Sequence, residues 1–77
     1  MATSTVLLDD ADNTTAQAFG VGSEGATIWV SNGTADLKLD ADTIASLVVG
    51  SPQVISRQVS DLTVVATADN TTVKVAQ

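Results

Sequence analysis

Apolar residues in this chain recur at every second position, and no 3.6-residue apolar stripe persists anywhere. Thr27-Ile28-Trp29-Val30-Ser31, Ala35-Asp36-Leu37-Lys38-Leu39 and Thr72-Val73-Lys74-Val75 show the alternation most plainly. A period of two sends successive side chains to opposite faces of a strand, whereas a helix needs a period of 3.6. Thr and Val are abundant, and their β-branched side chains suit a pleated, half-buried surface. Charged helix formers are scarce, with one Glu and two Lys in 77 residues. The pattern predicts an all-β chain, a small antiparallel β-sandwich or barrel of about six to eight short strands.

Residues 1–12 read as an extended N-terminal arm carrying the short strand Thr5-Val6-Leu7-Leu8, and residues 13–77 as the sandwich domain. The cluster Asp9-Asp10-Ala11-Asp12-Asn13 reads as the turn that closes the arm. A strand is expected over residues 14–19, followed by a glycine-rich loop over 20–25. Asn32-Gly33 between two alternating runs is the strongest short hairpin signal, because both residues tolerate φ > 0. In that hairpin Ile28, Val30, Ala35, Leu37 and Leu39 line the core, and Thr27, Trp29, Ser31, Asp36 and Lys38 face outward. Ala41-Asp42-Thr43 is a turn. Residues 44–49 form an apolar run that fits a buried strand or one helical turn. Residues 53–59 alternate as one strand, with Ile55 and Val59 inward and Arg57 at a rim. Ser60-Asp61 reads as a turn, and residues 62–67 and 72–76 as a closing hairpin around Ala68-Asp69-Asn70-Thr71.

A chain of 77 residues holds one domain with a small core, and natural domains of this size usually gain a staple. Cysteine and histidine are absent, which removes disulfides and the usual zinc ligands. Association with copies of itself or with a larger body is the staple that remains. No basic leader and no long apolar stretch is evident, so neither export by a standard leader nor membrane insertion is expected. The 9 acidic and 3 basic residues give a net charge of −6. Nucleic-acid binders show basic stripes and stacking aromatics, so no nucleic-acid partner is expected.

The side chains that usually carry catalysis are missing. There is no His, Cys or Tyr, and the Ser and Thr hydroxyls have no imidazole base. Lys38 and Lys74 sit at solvent-facing strand positions, where lysine discourages edge pairing. Asp9, Asp10 and Asp12, and Asp36, Asp40 and Asp42, group in and beside turns. Clustered carboxylates can hold calcium, but the spacing fails the EF-hand pattern, and turn chemistry accounts for aspartate at these places. No cofactor, no metal and no enzymatic activity are therefore expected. Trp29 is the unusual residue, a large aromatic on the expected solvent face. It fits an interface anchor, with a carbohydrate-stacking platform or a cover over the sandwich end as alternatives. Val6, Leu7 and Leu8 of the arm, Phe19 and Arg57 complete the candidate interface residues.

The stretches Ala16-Gln17-Ala18-Phe19-Gly20-Val21-Gly22, Gly25-Ala26-Thr27-Ile28-Trp29-Val30 and Asp69-Asn70-Thr71-Thr72-Val73-Lys74-Val75 follow one another in a telling order. From Thr14 onward the chain resembles small β-sandwich virion proteins of tailed bacteriophages, of the head-decoration (cement) or fibre-associated type. The resemblance implies a non-enzymatic virion protein, made in the host cytoplasm, that binds the outside of the capsid shell. It further implies the major capsid protein or another virion protein as partner, and a homo-oligomer, with a trimer favoured. A tail or fibre attachment role, or a carbohydrate- or surface-binding module, are the alternatives.

Overall fold

The computed structural model describes residues 4–12, 16–40 and 42–77. The readings made at Asn13, Thr14, Thr15 and Ala41, and at residues 1–3 of the expected arm, lie outside them. The described residues are all-β, in eight strands. They are β1 (Ser4–Asp10), β2 (Ala16–Val21), β3 (Ala26–Asn32), β4 (Thr34–Leu39), β5 (Asp42–Val48), β6 (Gln53–Ile55), β7 (Val59–Ala66) and β8 (Thr71–Ala76). They make two four-stranded antiparallel sheets, ordered β1-β8-β3-β6 and β2-β7-β4-β5. Its shortest dimension is 17 Å, room for two packed sheets and no third layer. The chain is a small β-sandwich.

The strand order comes from one long antiparallel ribbon. Ser4 faces Ala76, Ala16 faces Val65, Ala26 faces Ile55 and Leu39 faces Asp42. The two numbers of each pair have a nearly constant sum, so the chain folds back on itself once, at Asp40. Rolling that ribbon up brings β3 beside β8 and β4 beside β7, which supplies the two remaining ladders. Eight antiparallel strands ordered this way are the wind of a double-sheet jelly roll. The turn at the ribbon's tip uses Asp40 with φ 55°, a left-handed conformation that aspartate tolerates. Residues 44–48 resolve as strand, since β5 pairs along β4 from Thr34 with Val48 to Leu39 with Asp42, and Val49 opens the turn that follows.

Rolling the ribbon corrects both expected hairpins. β3 and β4 flank Asn32-Gly33 but belong to different sheets, so Gly33 marks a corner where the chain changes layer. Likewise β7 and β8 do not pair, and Ala68-Asp69-Asn70 is a second corner. The two bent limbs pair with each other instead: Ile28 with Val75, Val30 with Val73, Ala35 with Ala66, Leu37 with Val64. The face assignment holds nonetheless. Ile28, Val30, Ala35, Leu37, Leu62, Val64, Ala66, Val73 and Val75 are all buried in one core. Alternation fixes which side of a strand is apolar, and says nothing of which strand lies alongside.

Further boundaries move, and Asp42 and Thr43, expected in a turn, already belong to β5. Residues 53–59 are not one strand: β6 ends at Ile55 and the chain crosses to the other sheet before β7 begins at Val59. Ile55 and Val59 both pack on the core, as their spacing suggested, from opposite layers. Ser60 and Asp61 are not a turn but exposed residues of β7, at an irregularity in its pairing with β2. The loop expected over 20–25 is shorter, because Gly20 and Val21 still belong to β2. Gly25 closes it with an N–H donated to the Gly22 carbonyl at 3.0 Å.

The corners lean on one another. Thr67 N–H donates to the Thr34 carbonyl at 2.9 Å, and the Thr34 and Thr67 hydroxyl oxygens lie 2.7 Å apart. Thr71, fully buried, places its Oγ1 2.7 Å from the Ala68 carbonyl oxygen and 3.1 Å from that of Thr34. A buried hydroxyl with partners avoids the desolvation penalty of an unpaired one. Gly33 has φ +79°, and a Cβ placed there would stand 2.3 Å from Thr71 Oγ1 and 2.8 Å from Thr71 Cα. Gly50 has a similar φ of +88° with nothing within 4 Å. The two glycines therefore separate backbone strain from steric exclusion. Gly50→Ala is expected to lower stability by about 1–2 kcal/mol, and Gly33→Ala by roughly 3 kcal/mol or more. Urea denaturation of the two variants measures the difference, and equal losses would show that the corner is not sterically closed.

Candidate interaction surface

The two outer faces of the sandwich arrange their polar and apolar side chains differently. On the β2-β7-β4-β5 sheet, the outward positions include Thr63, Lys38 and Thr43 in one cross-strand row and Asp36 with Ser46 in the next. The Ser46 hydroxyl donates to Asp36 Oδ1 at 3.3 Å. The same face also carries half-buried Val65 in the Asp36 row and exposed Val48 opposite Thr34 on the edge strand. The β1-β8-β3-β6 sheet carries Val6, Lys74 and Trp29 side by side in one row, since Lys74 pairs with both of the others. The neighbouring row runs Ser4, Ala76, Thr27 and Val54. Cross-strand neighbours of this kind stand about 4.5–5.5 Å apart at Cβ, so the two rows make one surface.

Exposure picks out the apolar members of that surface. Val6 is 52% and Val54 68% exposed, while Trp29, Thr27, Lys74 and Ala76 are half-buried by their neighbours. A lysine between a valine and a tryptophan can lay its methylene stem along them and keep its ammonium in water. The lower end of the face opens into a groove of about 360 Å³, floored by Thr27, Val54, Ala76 and the glycine turn. Gln77 closes one side. Its Oε1 accepts from Gly22 N–H at 3.1 Å, and its Nε2 donates to the Gly20 carbonyl at 3.2 Å. Gly25 at the groove wall has φ +81°, and a Cβ there would meet the Ile55 carbonyl oxygen at 2.3 Å. The groove is thus held by backbone packing of the turn against β6.

The candidate residues divide between this face and the core. Trp29 and Val6, far apart in sequence, come together on the face. Leu8 is buried at 5% exposure, and Leu7 and Phe19 pack against the core. Arg57 is exposed on the segment between β6 and β7, off the two rows. Leu7 and Leu8 both turn inward because a bulge interrupts the pairing of β1 with β8 between Val6 and Leu8. Strict alternation would have sent one of the two leucines to solvent; the extra residue re-aims it. Residues 4–10 of the expected arm are extended but are an edge strand of the body, not a free segment. The alternation of residues 53–55, with Ile55 inward, already implied an outward Val54. Lys74 and Ala76 joined the face only through the β8 pairing, which no local signal reveals. A second apolar strip, Ile44, Val48 and Val49, lies along edge strand β5 and the turn after it.

The acidic groups hold local structure. Asp10, 6% exposed, accepts the Asp12 N–H on Oδ1 at 3.0 Å, an Asx-type turn that ends β1. Asp9 Oδ1 accepts from the Thr72 hydroxyl at 3.2 Å, across the β1–β8 ladder. Among the described residues, no three His, Cys, Asp or Glu side chains group as metal ligands would, and no helix is long and apolar enough to cross a membrane. Within β1 the fold and the face are separable. Leu8→Ala is expected to lower stability by about 2–4 kcal/mol, and Val6→Ala by under about 1 kcal/mol. Thermal or urea unfolding checks this, and deletion of residues 1–12 should unfold the domain, since it removes Leu8 and a whole edge strand.

Comparison with family models, with curated proteins and with solved structures finds no match to this chain in any of the three.

Proposed function

We propose that this chain is a non-enzymatic virion structural protein of a tailed bacteriophage, a capsid decoration or cement protein that binds the head shell. The observation that carries the reading is the apolar group on the β1-β8-β3-β6 outer face, with Val6 and Trp29 flanking Lys74 and exposed Val54 beside them. A partly exposed apolar sheet face on a small, strongly acidic domain is a surface built to be covered. Trp29 is its anchor, because a large aromatic in a central position contributes most to such contacts. The jelly-roll wind agrees with the reading, since that architecture recurs in capsid and lectin domains, although a fold alone assigns no role. A small domain without covalent staples also gains stability from whatever covers it, by mass action. In this reading the partner is the major capsid protein or a neighbouring virion protein, with the chain acting as a homo-oligomer, a trimer by resemblance.

The second reading, a carbohydrate- or surface-binding module, rests on the same outward Trp29, which could stack on a sugar ring. One substitution separates the two. Trp29→Ala is expected to leave the fold intact, with a stability loss under about 1.5 kcal/mol, because the side chain is outside the core. It should abolish binding of the purified protein to undecorated heads. Mass spectrometry of native particles should find the chain in a copy number comparable to that of the shell protein. Absence from the particle overturns the proposal, a handful of copies moves the role to the tail, and glycan binding that Trp29→Ala removes moves it to the second reading.

A further inference from the structure

Asn32 and Gly33 sit at the corner where the chain passes from one sheet to the other. An Asn-Gly pair is chemically the weakest peptide step in this chain, because glycine has no side chain to obstruct attack by its own nitrogen. The Gly33 backbone nitrogen attacks Asn32 Cγ and forms a new C–N bond. The bond from Cγ to Nδ2 breaks, the Gly33 amide proton passes to the leaving nitrogen, and ammonia departs. Water then opens the resulting five-membered imide at one of its two carbonyls, giving aspartate or isoaspartate at position 32. The sum is asparagine plus water to aspartate plus ammonia, with no redox change.

We infer that Asn32 is a self-modification site that the folded corner holds shut. Three features oppose ring closure. Asn32 Nδ2 donates to the Asn70 carbonyl on the opposite corner, which holds the side-chain amide away from its own backbone. Asn32 is the last residue of β3 and pairs with Thr72, so its backbone is extended, not turned toward the imide geometry. Gly33 cannot swing freely, because Thr71 fills the space where its side chain would be. Asn32 itself is solvent-exposed, so water reaches it once the corner opens. The rate of modification therefore reports how often the two corners part. Once isoaspartate forms, the main chain is one methylene longer at a point where Thr71 leaves no slack, and the corner cannot close as before. Asn70 is the internal comparison, because buried, β-branched Thr71 follows it.

The test uses the full chain, incubated in mildly alkaline buffer at body temperature, with and without strong urea. Peptide mass mapping reads the one-unit mass gain at each asparagine, and an isoaspartate-specific methyltransferase confirms the product. In urea, position 32 should modify at least about tenfold faster than position 70, for want of a hindering side chain. In the native protein the rate at 32 should fall by roughly tenfold or more, in proportion to the population of the open corner. Thr71→Val, which removes the hydroxyl that ties the corners, should raise the native rate and leave the rate in urea unchanged. Equal rates at 32 in native protein and in urea overturn the inference. So does a native rate that Thr71→Val does not move, or a rate in urea no faster at 32 than at 70.

Discussion

The meeting of Gly33 with Thr71 is the constraint on which the rest of the sandwich hangs. Each belongs to a corner that takes the chain from one sheet to the other, and the core lies between the limbs they bend. Ile28 and Val30 precede one corner and Ala35 and Leu37 follow it, while Val64 and Ala66 precede the other and Val73 and Val75 follow. All eight are buried only if both bends occur at the same height. The close approach of the two backbones, with a glycine on one side and a satisfied buried hydroxyl on the other, sets that height. Packing at interior density then leaves little freedom to slide.

Strand content, side-chain faces and the all-β class were legible in the sequence, because all three follow from local alternation. Partner choice was not. The Asn32-Gly33 signal correctly marked a place where φ turns positive, yet a positive φ serves a two-residue hairpin and a layer-changing corner equally well. The partners of β3 are β6 and β8, reached only after the chain has turned back at Asp40. Ser60 and Asp61 read as a turn because polar residues cluster there, but an edge-side irregularity in β7 lets a strand carry them to solvent. Leu7-Leu8 read as part of an extended arm, and the bulge that turns both inward is invisible in composition.

The same long-range pairing created the candidate surface. Val6 lies near one end of the chain, Trp29 in its first half, Val54 in its second and Lys74 near the other end. They share a face because β8 is inserted between β1 and β3. Trp29 was legible as outward from alternation alone. Its apolar neighbours were not, since they depend on three different ladders. Leu8 and Phe19, by contrast, look like interface residues in isolation and prove to be core. A domain with few strong local contacts and paired ends is expected to fold slowly for its size, since distant segments must meet before they reward each other.

A ribbon that folds back once has its ends side by side, with Ser4 the ladder partner of Ala76. Topologically it is almost a ring, cut at one edge of one sheet and pinched at Asp40 on the other. A short bridge across the cut would leave every ladder in place, and the ring could then be opened at the pinch. The order of elements would be permuted while each corner and each core contact kept its neighbours. Any sequence carried on either end departs from the same spot on the molecule, beside the apolar face.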